Sequence, residues 1–198
     1  NYETLESGIE KLRNIAAQKA FQKQIPNLNS RVFRQTYLLE MNFLIATKQF
    51  ERAVLLISEI ENGIKKHQKT IGLHNEITFQ YLMAYANFGN QNFEETLTYL
   101  NEILNRKAKV VTEIFEFANL LNLITHFELK NYELLDYLLT STRRLLRKKR
   151  NLYKTETVLF TYLKKYINAT DKNDKAKLQQ GFQANIKLLK QEKSEQRV

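Results

Sequence analysis

Apolar side chains recur at helical spacing along almost the whole chain, and that recurrence places the elements. Leu5, Ile9, Leu12, Ile15 and Ala16, with Ala20 beyond them, form a first stripe. It stops short of Pro26, because the residue before a proline is pushed out of the helical region, and "IPNLNS" reads as a linker. A second helix is predicted over 31–47, with Phe33, Tyr37, Met41, Leu44 and Ile45 as its stripe, and a third over 50–66. After "KKHQKTIGLHN" a fourth covers 76–88, closed by Gly89 in the way glycine closes a helix just past its C-terminus. Helices over 93–106, 110–129, 132–149, 153–169 and 176–190 follow, with "TDKNDK" as a loop before the last and a fraying tail from Gln191. Asn92 and Asn131 are placed as N-caps, each with Glu in the following turn, where the helix dipole favours negative charge.

One short pattern occurs three times. "NFEETLTYLNEIL" from Asn92 is echoed by "QFERAVLLISEIE" from Gln49 and by "NYELLDYLLTSTR" from Asn131. Aligning Phe50, Phe93 and Tyr132 gives spacings of 43 and 39 residues. The same register brings Ala53 onto Thr96 and Leu135, and Ile57 onto Leu100 and Leu139. Each unit is then a helical hairpin, and since a lone hairpin cannot bury its apolar face, stacked copies are expected to share a continuous core.

Three longer stretches carry a resemblance. "YLLEMNFLIATKQFERAVLLISEI" from Tyr37 has aromatic Tyr37 and Phe50, small Ala53, and apolar Ile57 and Ile60. "YLMAYANFGNQNFEETLTYLNEIL" from Tyr81 has small Ala84, aromatic Phe88 and Phe93, and apolar Leu100 and Ile103. "LLNLITHFELKNYELLDYLLTS" from Leu120 keeps Phe127 and Tyr132 but has Leu135 at a small position. Over residues 31 to 145 this resembles the tetratricopeptide repeat family in degenerate form. The spacing exceeds the family period of about 34 residues, which implies longer helices or loops, and the family's terminal proline is missing from every unit. The resemblance implies an all-α fold of about nine helices, in antiparallel hairpins stacked as a short right-handed α-solenoid. Residues 1–30 would be an N-terminal helix and linker packing on the repeats, 31–150 the repeat body, and 151–198 capping helices and tail.

In that family the first helix of each hairpin lines a concave groove that binds peptides. Carried over, the groove comprises Leu38, Asn42, Ile45, Tyr81, Tyr85, Phe88, Leu120, Ile124 and Phe127. Members that clamp an acidic C-terminal tail need Lys and Asn there, and only Asn42 matches, with Leu38 and Tyr81 in place of cations. Either the groove takes an apolar or aromatic peptide, or the chain's own first or last helices fill it. The second is favoured, because large exposed apolar patches are uncommon on monomers.

Composition agrees with long helices, since only five Gly and one Pro interrupt a chain that is 43% apolar and 11% aromatic. The absence of Cys excludes disulfides, thiolate metal sites and a cysteine nucleophile. No apolar run approaches the roughly 18 residues that a membrane span needs, so no membrane partner is expected and the cytoplasm is the default location. The chain begins at Asn1 rather than Met, as a trimmed piece of a longer protein would. His67, His74 and His126 have no ligand-like spacing, the serines lie in no nucleophile elbow, and Glu94 and Glu95 suit a helix dipole better than acid–base work. The expectation is a non-enzyme without cofactor or metal, binding an unidentified protein or peptide in an unspecified oligomeric state.

The net charge of +10 adds a second candidate, a nucleic acid or other polyanion. "RRLLRKKRNLYK" concentrates it: Arg143, Arg144, Arg147, Lys148, Arg150 and Lys154 form a ridge that could take phosphates, with Tyr153 to stack on a base, while Leu145 and Leu146 point inward. The plainer alternative is a solvated helix end whose cations complement the dipole, and it takes precedence.

Overall fold

The computed structural model describes residues 2–17, 26–106 and 112–191, and every regular element among them is a helix. In chain order these are α1 (Tyr2–Ala17), α2 (Pro26–Ala46), α3 (Phe50–Leu55), α4 (Ile57–Lys66), α5 (Leu73–Gly89), α6 (Phe93–Leu104), α7 (Thr112–Glu128), α8 (Tyr132–Arg147), α9 (Lys154–Asn168) and α10 (Lys172–Leu189). The all-helical class read from periodicity holds. Several boundaries differ from expectation, among them the start of α5 at Leu73 rather than 76. Pro26 opens α2 instead of standing in a linker, because a first-turn residue needs no N–H and the fixed φ of proline suits a helix. The third predicted helix is two segments, since the Leu56 N–H turns to Ala53 O at 3.2 Å, a tighter step that interrupts the ladder. The last helix starts at Lys172, capped by the Asp171 carboxylate, which accepts from Asn173 N–H at 3.2 Å. Ala20, Val110 and the tail from 192 lie outside the described residues.

The thrice-repeated pattern corresponds to one backbone corner built three times. At the end of α2 the Lys48 N–H bonds Ile45 O and the Gln49 N–H bonds Leu44 O. At the end of α5 Gln91 bonds Phe88 O and Asn92 bonds Asn87 O, and at the end of α7 Lys130 bonds Phe127 O and Asn131 bonds His126 O. This paired set, one bond reaching back three residues and the next reaching back five, is the Schellman closure of a helix. It requires a left-handed residue, and Lys48 (φ 58°), Gln91 (φ 63°) and Lys130 (φ 60°) supply it. The next residue opens the following helix, through Ala53 N–H to Gln49 O, Thr96 N–H to Asn92 O and Leu135 N–H to Asn131 O.

Two sequence expectations change here. Asn92 and Asn131 stand at the N-cap position, but their side chains do not cap the new helix. Each also ends the preceding helix, so its amide reaches back, to Asn87 Oδ1 and to His126 Nδ1, both at 3.2 Å. Gly89 is the last residue of α5 rather than its left-handed terminator, which is Gln91. Glycine is needed there for space, because a Cβ would lie 2.3 Å from the ring of Phe50. Gly63 plays the same part for Phe33, whose ring lies 2.0 Å from the position of a Cβ.

The chain divides into two compact units, Asn1–Asn122 and Leu123–Val198. In the first, α5 serves two cores. Phe79, Leu82, Met83 and Ala86 pack with Met41, Leu44, Ala53 and Ile60, while Ile77 and Ala84 pack with Leu100, Ile103, Ala118 and Leu121. That double duty explains why α5 is apolar on several sides. From α1, Ile9 joins the first core, whereas Ile15 is exposed. In the second unit α8 buries a single row, Leu135, Leu139, Thr142 and Leu146, and α9 buries Glu156, Phe160 and Leu163. No residue of α10 is fully buried; Phe182 stacks on Tyr162 of α9 with centroids 4.3 Å apart.

Candidate functional site

Of the nine groove residues only Asn42 and Tyr85 are exposed, and they belong with Leu38, Ile45, Tyr81, Phe88 and Leu120 to the first unit. The Asn42 amide is turned onto its own helix, donating to Leu38 O at 2.6 Å. Leu38 and Ile45 pack against the first core, and Leu120 is buried. Tyr81 lies beside Tyr85 and Phe117, at 6.3 and 6.4 Å between centroids. Burial, with Tyr85 adding to it, pushes the Tyr81 phenol well above the ordinary tyrosine value. Phe88 meets Phe93 across the corner at 5.5 Å. In the second unit Ile124 is half-buried, and Phe127 is covered by Tyr166 and Tyr162 of α9, at 4.9 and 5.9 Å. Most of this set is therefore packed against the chain's own side chains.

The basic ridge separates into two kinds of cation. Arg150 is engaged: its Nη1 and Nη2 donate to Glu156 Oε2 and Oε1 at 3.0 and 2.7 Å. Glu156, only 1% exposed, also accepts from the Tyr153 N–H at 2.9 Å. A buried carboxylate costs several kcal/mol unless it is paired and hydrogen-bonded, and here three donors and the N-terminus of α9 meet it. The Arg150 guanidinium lies 4.1 Å from the centre of the Tyr153 ring, so Tyr153 already has a cation over its face. Glu156 was missed in the sequence, although Tyr153 and Glu156 have the N-cap to N3 spacing of a capping box, which signals such a contact.

Arg143, Arg144, Arg147 and Lys148 are the other kind. All four are exposed on the last turns of α8, and none has a carboxylate partner among the described residues. Together with Thr140 they line a shallow groove of about 440 Å³. A neighbouring one of about 350 Å³ adds Tyr137, Ser141 and Leu145. The hydroxyls of Thr140 and Ser141 donate to Asp136 O and Leu138 O, at 3.3 and 3.1 Å, so the donors facing outward are the cations. Leu146 points inward as expected, whereas Leu145 is half-buried at the groove floor. Lys154 is exposed at the start of α9.

The three histidines belong to neither set. His67 packs on Phe33 at 5.4 Å, and its pKa is lowered by burial and by Lys66. His74 is exposed, and His126 meets Asn131. Among the described residues no three His, Asp or Glu side chains gather as a metal site, and no helix is long and apolar enough to cross a membrane. No family model, curated protein or solved structure matches this chain.

Proposed function

We propose that this chain is a non-catalytic protein-binding scaffold of tetratricopeptide-repeat-like type, its hairpins stacked as a short right-handed solenoid, and that it captures a peptide or helix of a partner protein. A cytoplasmic location goes with this reading. The observation that carries it is the corner built three times with the same hydrogen bonds and the same left-handed residue. Stacked repeats of this kind offer long helix faces whose outward residues are not needed for the core. Of the residues carried over as a groove, Asn42 and Tyr85 are the ones exposed to a partner. The test is capture of partners by the intact chain, with cross-linking and mass spectrometry, before and after nuclease treatment. The scaffold predicts discrete protein partners that survive nuclease. Partners that all vanish with nuclease would replace it with a nucleic-acid-binding module.

A further inference from the structure

The outer face of α8 is ordered by charge and polarity. Leu134, Tyr137, Ser141, Arg144 and Lys148 follow one another at spacings of three and four residues, so they form one stripe along the helix. Its first part is apolar and open, with Leu134 44% and Tyr137 69% exposed. Its second part is cationic and is widened by Arg143 and Arg147, one row over.

We infer that this face docks an acidic peptide segment that also carries one apolar or aromatic side chain, the carboxylates over Arg143 to Lys148 and the apolar group against Leu134 and Tyr137. The inference rests on the scaffold reading and gives it a partner chemistry. The helix dipole does not account for all of the cations. Arg144 and Arg147 in the last turn and Lys148 at the C-cap answer its negative end, whereas Arg143 stands before that turn. The pairs Arg143 with Arg147 and Arg144 with Lys148 stand four residues apart, where like charges repel. Arg150, just beyond, shows what this chain does with a cation it uses internally: it supplies a bidentate carboxylate. An outside carboxylate would do the same for the four, and guanidinium groups favour such planar, two-point contacts.

The layout also separates a peptide from a nucleic acid. The basic rows span five residue steps, roughly 7.5 Å of helix, which matches two or three residues of extended peptide. A longer polyanion running on to Tyr137 would meet the carboxylate of Glu133, which is exposed; that of Asp136 is held by Lys164. A segment acidic at one end and apolar at the other meets no such repulsion. Tyr and Arg are also the side chains that most often anchor protein interfaces.

The test uses the full chain and a short labelled synthetic peptide, with a run of glutamates and a phenylalanine about three extended residues apart, read by fluorescence anisotropy. Two controls replace the glutamates by glutamine or the phenylalanine by serine, and a mixed-sequence single-stranded RNA is run alongside. Arg144→Glu/Lys148→Glu should weaken binding of the glutamate peptide by about tenfold or more, and Tyr137→Ser by a smaller factor, with helical content unchanged by circular dichroism. Arg143→Gln/Arg147→Gln repeats the test without new acidic charge. Absence of peptide binding, binding equal in wild type and both double variants, or control peptides that bind as tightly as the parent peptide would overturn the proposal. So would RNA binding tighter than the peptide's and abolished by the same variants, which would make the face a nucleic-acid site. A partner captured equally by wild type and by Arg144→Glu/Lys148→Glu would leave the scaffold standing and remove this face from it.

Discussion

The corner between α2 and α3 and the corner between α7 and α8 lie in different units, yet share the same backbone hydrogen bonds and left-handed lysines of φ 58° and 60°. They differ in what they enclose. At the first buried position of the new helix one has Ala53, the other Leu135, and both are fully shielded from solvent. The aromatic that follows the corner packs differently too: Phe50 lies against Gly89, whereas Tyr132 lies 6.2 Å from Phe127. The repeated feature is thus the course of the backbone, and the filling is adjusted locally. A close-packed interior permits this only if each corner has its own matched set of volumes.

Matched volumes imply unequal responses to the same kind of change. The largest effect is expected at the third corner, where Leu135→Ala removes a buried side chain and should cost about 2 to 5 kcal/mol in chemical denaturation. Its neighbour Leu134 is exposed, and Leu134→Ala should stay within about 0.5 kcal/mol. At the first corner the sign of the volume problem reverses: Ala53→Phe overfills the site and should cost about 1 to 3 kcal/mol. Equal tolerance of Ala53→Phe and Leu134→Ala would break the comparison, because Ala53 would then not be at a close helix contact. Gly89→Ala sets a Cβ against the Phe50 ring, and a loss of about 1 kcal/mol or more is expected by thermal unfolding. One modest effect has the opposite sign. Gln91→Gly relieves a left-handed residue and should stabilise by about 0.5 to 1 kcal/mol, after the entropy of glycine in the unfolded chain is subtracted.

The register of this repeat was legible because apolar side chains that face a core must recur at helical spacing. Phe50, Phe93 and Tyr132 therefore aligned, and with them Ala53, Thr96 and Leu135. The turn itself was not legible. Its left-handed residue is usually Gly or Asn, and here it is Lys, Gln and Lys, whose conformation is imposed by the hydrogen bonds around it. Gly89 misled for the same reason: glycine near a helix end suggests a terminator, and its actual use, room for Phe50, depends on a residue 39 positions away in sequence. In the basic segment, local sequence could not separate Arg150 from Arg143, Arg144 and Arg147. The difference lies in Glu156, which reaches Arg150 alone among them. Leu134 and Tyr137 were likewise unremarkable as letters, and only the burial of the opposite row shows that they face outward.

Native-state amide hydrogen exchange at Gln49, Asn92 and Asn131 tests the repeated corner most directly. Each of these N–H groups donates to a carbonyl five residues back, at 2.8, 2.9 and 3.0 Å, in a bond that exists only if the preceding residue is left-handed. The account predicts that all three amides are protected, and that each becomes labile when its own corner is opened by proline at Lys48, Gln91 or Lys130, which forbids positive φ. Exchange of Asn131 at the rate of an unstructured peptide, with Gln49 and Asn92 protected, would contradict it: the chain would hold two such corners, and the resemblance of the third would be confined to its letters.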